Sequence, residues 1–305
     1  MRKRPSLSLR RRLCNGGAAA ALWISALLCC ALLLFLTGYI FYRGLPGISW
    51  DFLTGAESIL QGTAGILPAI VNTLYVLLLS LAIALPLGAG AAIYLTEYAR
   101  NRRLVEAVEF AAEILSGIPS ILYALVGMIL FCTVLRLQKT LLAGSLTLAI
   151  MILPTIMRTT QESLKAVPRS YREGALGLGA GQWRMIRTVV LPSAADGIAS
   201  GCILAAGRVA GESAVLMYTA GLSTVMQDFS TIEGLMKASG STLTVALYVY
   251  AKERADFAAA FAVAAVLLML AALLNLAAGM TAGKVKERKG TCRLWQRKRS
   301  SARRS

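Results

Sequence analysis

The sequence predicts an all-α, polytopic integral membrane protein, with six transmembrane helices and a hydrophilic helix-turn-helix loop between the fourth and fifth. Three observations lead there. Hydrophobic residues make up 57% of the 305 and mean hydropathy is +0.65, too apolar a balance for a surface that faces water. Six segments are long enough to cross the roughly 30 Å of a hydrocarbon core, and they lie near residues 18–42, 66–95, 115–135, 140–157, 194–220 and 256–282. Between the fourth and fifth, the glycine-punctuated stretch EGALGLGAGQWRMIRTVVLP at 173–192 interrupts the apolar pattern.

The chain opens on a basic leader, residues 1–17, before the first span. Leader and apolar run together resemble a signal peptide, but the run is longer than a signal core and no small-x-small cleavage site follows, so the segment reads as a retained helix. Pro86 in the second span and Pro119 in the third predict kinked or broken helices, tolerated where neighbours re-satisfy the backbone. Leu104 to Leu115 reads as a helix with Glu106, Glu109 and Glu113 on one side, most simply a solvated face. The fourth span is the shortest, with Pro154 near its end. After it, Leu164, Val167, Tyr171 and Ala175 recur at three- and four-residue spacing, which predicts one amphipathic helix over 161–176. Gly177, Gly179 and Gly181 supply the backbone freedom of a tight turn, and a second helix is expected over 182–190. Pro192 is expected to stop that helix and redirect the chain. A basic tail, 283–305, closes the sequence, leaving 18–282 as one membrane domain.

Orientation follows from Lys and Arg, which accumulate on the cytoplasmic side. With the N-terminus inside, the inner segments carry 25 basic residues and the outer loops 6, and Arg208 falls within the fifth span. Both termini and the 173–192 loop are then cytoplasmic. The same bias, with attraction to anionic lipid, accounts for a net charge of +17 without any nucleic-acid partner.

Several chemistries are disfavoured. Histidine is absent, removing the commonest general base and metal ligand. The six cysteines, Cys14, Cys29, Cys30, Cys132, Cys202 and Cys292, show no metal-ligand spacing and none is secure in an outer loop, so no metal site or disulfide is expected. The run Gly177-Leu178-Gly179-Ala180-Gly181 has neither the preceding strand nor the Lys-Ser/Thr of a Walker A loop, so the chain is not expected to bind or hydrolyse ATP itself.

The fifth span carries the most chemistry. At 100° per residue, Gly197, Ser200, Gly201, Leu204, Gly207, Arg208, Gly211 and Glu212 fall within an arc of roughly 140°. Gly197 with Gly201 and Gly207 with Gly211 form two GxxxG pairs that would admit another helix closely. Arg208 and Glu212, four apart, are expected to pair on one turn. Burying an arginine mid-membrane costs at least about 2.5 kcal/mol on insertion scales, so it lines a pathway or locks packing. Its planar fork suits an oxyanion such as phosphate.

Glu173, Gly174, Ala175, Gly179, Val189, Leu191 and Pro192 sit at the spacing of the EAA loop of bacterial ABC importers, with Gly174 replacing the middle Ala and Val189 the Ile. The alternative is an ordinary amphipathic connector on the membrane surface. ALPLGAGAAIYLTEYA, GIPSILYAL and GRVAGESAVLMYTAG look like phosphate-type permeases, in which an Arg precedes Gly-Glu-Thr; Ser213 here stands for that Thr. With SWDFLTG and GSTLTVALYVYAKERA, the likeness covers most of residues 40–280 and is to the PstA-type permeases of phosphate ABC importers.

That resemblance implies the type I importer permease fold in the bacterial inner membrane and docking of the 173–192 loop on a partner ATPase. It also implies a second homologous permease, two ATPase copies that bind ATP–Mg, and an extracytoplasmic phosphate-binding protein. This chain would bind no cofactor, and Arg208, Glu212 and Ser213 would lie on the substrate pathway. Molybdate, sulfate or phosphonate remain rival substrates. A passive anion channel would also want a buried arginine but has no use for a coupling loop. A membrane-embedded enzyme lacks the paired acids or nucleophile constellation it would need.

Overall fold

The structure is a computed structural model describing residues 9–56, 65–225 and 237–276, with 231, 234 and 279. The C-terminal basic tail and the last residues of the sixth expected span lie outside these, as do residues 1–8. Among the described residues all regular secondary structure is helical, with five helices long and apolar enough to cross a membrane, or six if one sharply bent pair is counted as a span.

The first helix, α1 (Leu9–Gly44), starts inside the basic leader, and the apolar stretch that follows buries none of its residues. A helix apolar all round fits lipid, where no polar face is needed. Only its far end touches the bundle, where Tyr39 packs edge-on against Phe261 with ring centroids 5.7 Å apart. A short helix, α2 (Trp50–Thr54), follows, capped by Ser49 Oγ, which accepts from the Phe52 N–H at 3.1 Å.

The centre is a pair of long helices, α3 (Leu67–Ile93) and α6 (Leu141–Lys165), packed along much of their length. Val76, Leu77 and Ala84 of α3 meet Leu148, Ile152 and Ile156 of α6 in one buried cluster. Ser80 Oγ ties them by donating to the Ser145 carbonyl at 3.1 Å. Two-thirds of α6's most apolar window is buried, the largest share of any span. It runs through Pro154 to Lys165, so the fourth span is longer than its apolar run suggested.

Between them the third span departs from expectation. Helix α4 (Arg102–Gly117) ends where Ile118 adopts extended geometry ahead of Pro119, as the residue before a proline tends to. The chain bends by 100° into α5 (Ser120–Gly127), which continues as wide π turns through Val134. Residues 115–117 thus belong to the amphipathic helix, and the expected third span is a bent pair of helices rather than one straight helix.

The expected helix over 161–176 is two pieces. α6 stops at Lys165, and Pro168 leads into α7 (Arg169–Gly177). The expected redirection at Pro192 does not occur. α8 (Gln182–Met185) passes through a π turn, Ile186–Val190, into α9 (Leu191–Ala210), so that one helix runs from Gln182 to Ala210. In that π turn the Leu191 N–H donates to Ile186 O, shifting the ladder by one residue just before proline's missing donor. The fifth span ends at Ala210 rather than 220; after Gly211–Ser213 a separate short helix, α10 (Ala214–Thr219), begins. α11 (Leu243–Tyr248) and α12 (Phe257–Leu276) complete the described chain.

Candidate functional site

Two regions hold the residues singled out in the sequence. The first is the helix-turn-helix of α7 and α8. Ala180 N–H donates to Ala175 O at 3.1 Å and Gly179 N–H to Leu176 O at 2.9 Å, while Gly179 has φ +82°. These are the paired bonds of a Schellman C-cap, whose left-handed residue is normally glycine. Glu173, Gly174 and Pro192 are exposed, whereas Ala175 and Leu191 pack against a buried cluster of Leu95, Leu164, Ile186 and Val190. Val189 is half-buried within the π turn. The turn presents Leu178, 91% exposed, with Leu176 and Trp183 beside it.

One bridge here escaped the sequence reading. Arg172 on α7 holds Glu97, at the end of α3, through Nη2 at 2.7 Å and Nε at 3.1 Å, with the glutamate side chain only 6% exposed. Arg172 also donates to the Val167 and Leu164 carbonyls at 2.7 and 2.9 Å. Gln182, across the turn, donates to the Glu97 carbonyl at 2.6 Å. The partners are 75 residues apart, so no local spacing could announce them.

The second region is the end of α9. Gly197 and Gly201 press directly on Ser163 and Thr159 of α6, so this GxxxG pair is a helix contact. The other pair differs: a side chain at Gly207 would meet nothing within 4 Å, and one at Gly211 would meet only the Gly207 carbonyl. Arg208 occupies the last turn, half-buried, with its charge close enough to Tyr123 of α5 to act on it. A cation there is favoured by the exposed carbonyls of a helix C-terminus.

Arg208 and Glu212 do not pair. Four-residue spacing puts two side chains on one face of a continuous helix, and here the helix stops between them. Glu212 instead turns to α10, accepting from the Val215 N–H at 3.3 Å, while its carbonyl accepts from Thr244 Oγ1 at 2.9 Å. Ser213 precedes α10 without capping it. Among the described residues, ion pairs join Arg102 to Glu106, Arg158 to Glu113, Lys165 to Glu109 and Arg172 to Glu97, and Arg208 has no carboxylate within 4 Å. No group of three potential metal ligands occurs among the described residues.

The family model of the binding-protein-dependent transport system inner membrane component matches residues 84–286, from the middle of α3 to beyond α12. The chain belongs to that family. This permease is 33% identical over 222 residues to the probable ABC transporter permease protein YqgI of Bacillus subtilis, covering 73% of this chain and 76% of that one. It is 30% identical to phosphate transport system permease protein PstA 1 of Mycobacterium tuberculosis, over 90% of both chains. Against the PstA of Xylella fastidiosa the identity is 35%, covering 69% of this chain and 74% of the relative. Among solved structures, a bacterial alginate ABC transporter superposes with TM-score 0.65 at 15% identity, over 92% of this permease and 98% of that chain. The MetNI methionine ABC transporter does so with TM-score 0.55 at 20% identity, over 72% and 94%. At those identities the likeness is of fold. This permease is a multi-pass inner-membrane subunit of an ABC-type importer.

Proposed function

We propose that this permease forms half of the translocation pathway of an ATP-driven inorganic phosphate importer, with Arg208 as the cation the anion meets. The observation that carries the reading is Arg208 itself: half-buried at a helix end inside the bundle, with no carboxylate within 4 Å among the described residues. A half-buried guanidinium with unspent donors attracts an oxyanion and holds it through paired hydrogen bonds. The relatives named phosphate permeases support phosphate over molybdate, sulfate or phosphonate. Glu212 and Ser213 would shape the site from the break rather than neutralise the arginine.

The α7–α8 turn would be the cytoplasmic docking element for a partner ATPase, with both termini on that side, 18–282 as the membrane domain and 1–17 and 283–305 as basic tails. Its exposed Leu176, Leu178 and Trp183 supply the apolar contact such docking needs. The helix from Gln182 to Ala210 ties that turn to Arg208 by a single rod, roughly 40 Å long at 1.5 Å per residue. ATP binding on the partners would tilt the rod and open the route past Arg208 in alternation, with a second homologous permease completing the pathway and a phosphate-binding protein delivering the anion outside. A passive anion channel would not need the rod or its turn.

The test uses the complete transporter in proteoliposomes. Arg208→Gln is expected to assemble, hydrolyse ATP and lose phosphate uptake; normal uptake overturns the pathway role. Gly179→Asp, strained at φ +82° and charged at the turn, is expected to insert normally and uncouple uptake from ATP; coupled uptake in that variant overturns the docking role.

A further inference from the structure

We propose that Arg172 and Glu97 form the joint through which movement of the α7–α8 turn reaches the α3 helix, making both positioning residues for coupling. The inference rests on the reading of that turn as the ATPase contact and adds a route which the chain connections do not provide. Covalently, α7 and α8 continue only from α6 and into α9. α3 ends 75 residues earlier than Arg172, at a π turn, Tyr94–Tyr98, that holds Glu97.

Arg172 closes that gap from one arm of the turn. Its side chain is 19% exposed and grips the carboxylate by two nitrogens, while it also donates to the Leu164 carbonyl in the last turn of α6 and to the Val167 carbonyl just beyond it. Gln182 closes it from the other arm, at the Glu97 carbonyl. Both arms therefore converge on one residue of the π turn that closes α3, and the planar fork fixes the angle as well as the distance. The other cross-helix charges near this end, Lys165 with Glu109 and Arg158 with Glu113, are a third or more exposed and bind α4 to α6 without touching the turn. Exposed pairs of that kind transmit little, because solvent screens them. A pair buried as deeply as Arg172 and Glu97 loses its geometry only at the cost of stranding a charge.

The experiment measures phosphate moved per ATP hydrolysed, together with yield of the complete transporter, for Arg172→Gln, Glu97→Gln, Arg172→Lys and the reversed pair Arg172→Glu with Glu97→Arg. A merely structural role lowers yield and leaves the ratio unchanged. The joint predicts assembled single variants whose ratio falls about tenfold, inside the roughly 5- to 150-fold range of coupling between sites. Arg172→Lys, which keeps the charge but lacks the planar fork that grips the carboxylate by two nitrogens, should lie between, and the reversed pair should recover part of the loss. A normal ratio in any assembled single glutamine variant overturns the proposal, as does loss of assembly in all four. Gly179→Asp measured in parallel separates the two readings. If it uncouples while Arg172→Gln does not, the joint alone is wrong; if Gly179→Asp is also coupled, the reading of the turn is wrong.

Discussion

Gly201→Ala gives the most direct test of how α6 and α9 hold together. The new methyl group would fall on Thr159, overlapping Oγ1 and lying 2.8 Å from Cβ. Thr159 cannot simply rotate away, because its hydroxyl donates to the Thr155 carbonyl at 2.9 Å and to Ile156 at 3.2 Å. Either that bond is lost or the helices part. Overpacking of this kind costs about 1–3 kcal/mol, against which alanine gains at most about 1 kcal/mol over glycine in a helix interior. With both side-chain atoms in the way, the net loss should be about 1–2 kcal/mol. Gly207→Ala is the internal control, since nothing lies within 4 Å of its added carbon, and the propensity gain of up to about 1 kcal/mol is all it should feel. Thermal unfolding of the detergent-solubilised protein should therefore rank Gly201→Ala below wild type and Gly207→Ala at or above it. Adding Thr159→Ala to Gly201→Ala should recover part of the loss. Equal stability of the two single variants would refute the reasoning.

In a background lacking the six native cysteines, Leu178→Cys should react with a membrane-impermeant maleimide only after permeabilisation and Trp50→Cys in intact cells, both positions being widely exposed; the reverse pattern overturns the orientation. Glu212→Gln keeps an oxygen for the Val215 N–H and should assemble as wild type, whereas Glu212→Ala should lose about 0.5–2 kcal/mol, as removal of a cap does; equal damage from both would show that the carboxylate charge, not the acceptor, matters. Because Arg208 and Glu212 form no ion pair, the stability effects of the two Gln variants should combine with little coupling, and a large positive coupling in a double-mutant cycle would restore the ion pair.

The spans were legible because an apolar run of twenty residues states its environment whatever its neighbours do. Gly179 was legible because a turn's demand for positive φ is written in one residue. The end of α9 was not: Gly211-Glu212-Ser213 breaks the helix, and the Glu212 carbonyl freed there is taken by Thr244, from a distant segment that local spacing does not reveal. A single helix over 194–220 would bring Arg208 and Glu212 together, and the break after Ala210 parts them. Pro192 misled for a similar reason, since a proline ends a helix only if the turn before it stays α. Glu97 and Arg172 gave no signal because their meeting depends on how α3, α6 and α7 converge.

The π turn at Ile186–Val190 has a consequence for rotational phase. It absorbs one residue more than an α-helical turn of the same rise, so the part of the rod beyond it keeps the phase of an α-helix one residue shorter. Deleting one residue there would close the ladder into plain α-helix and leave Arg208 facing as it does now, though with the Pro192 ring set against a carbonyl of the preceding turn. Deleting one anywhere between Ser193 and Gly207 would swing Arg208 by about 100° relative to the docking turn. The length of this rod is therefore tolerant at a single locus, and drift in the chain length of such subunits should accumulate there and nowhere else along it.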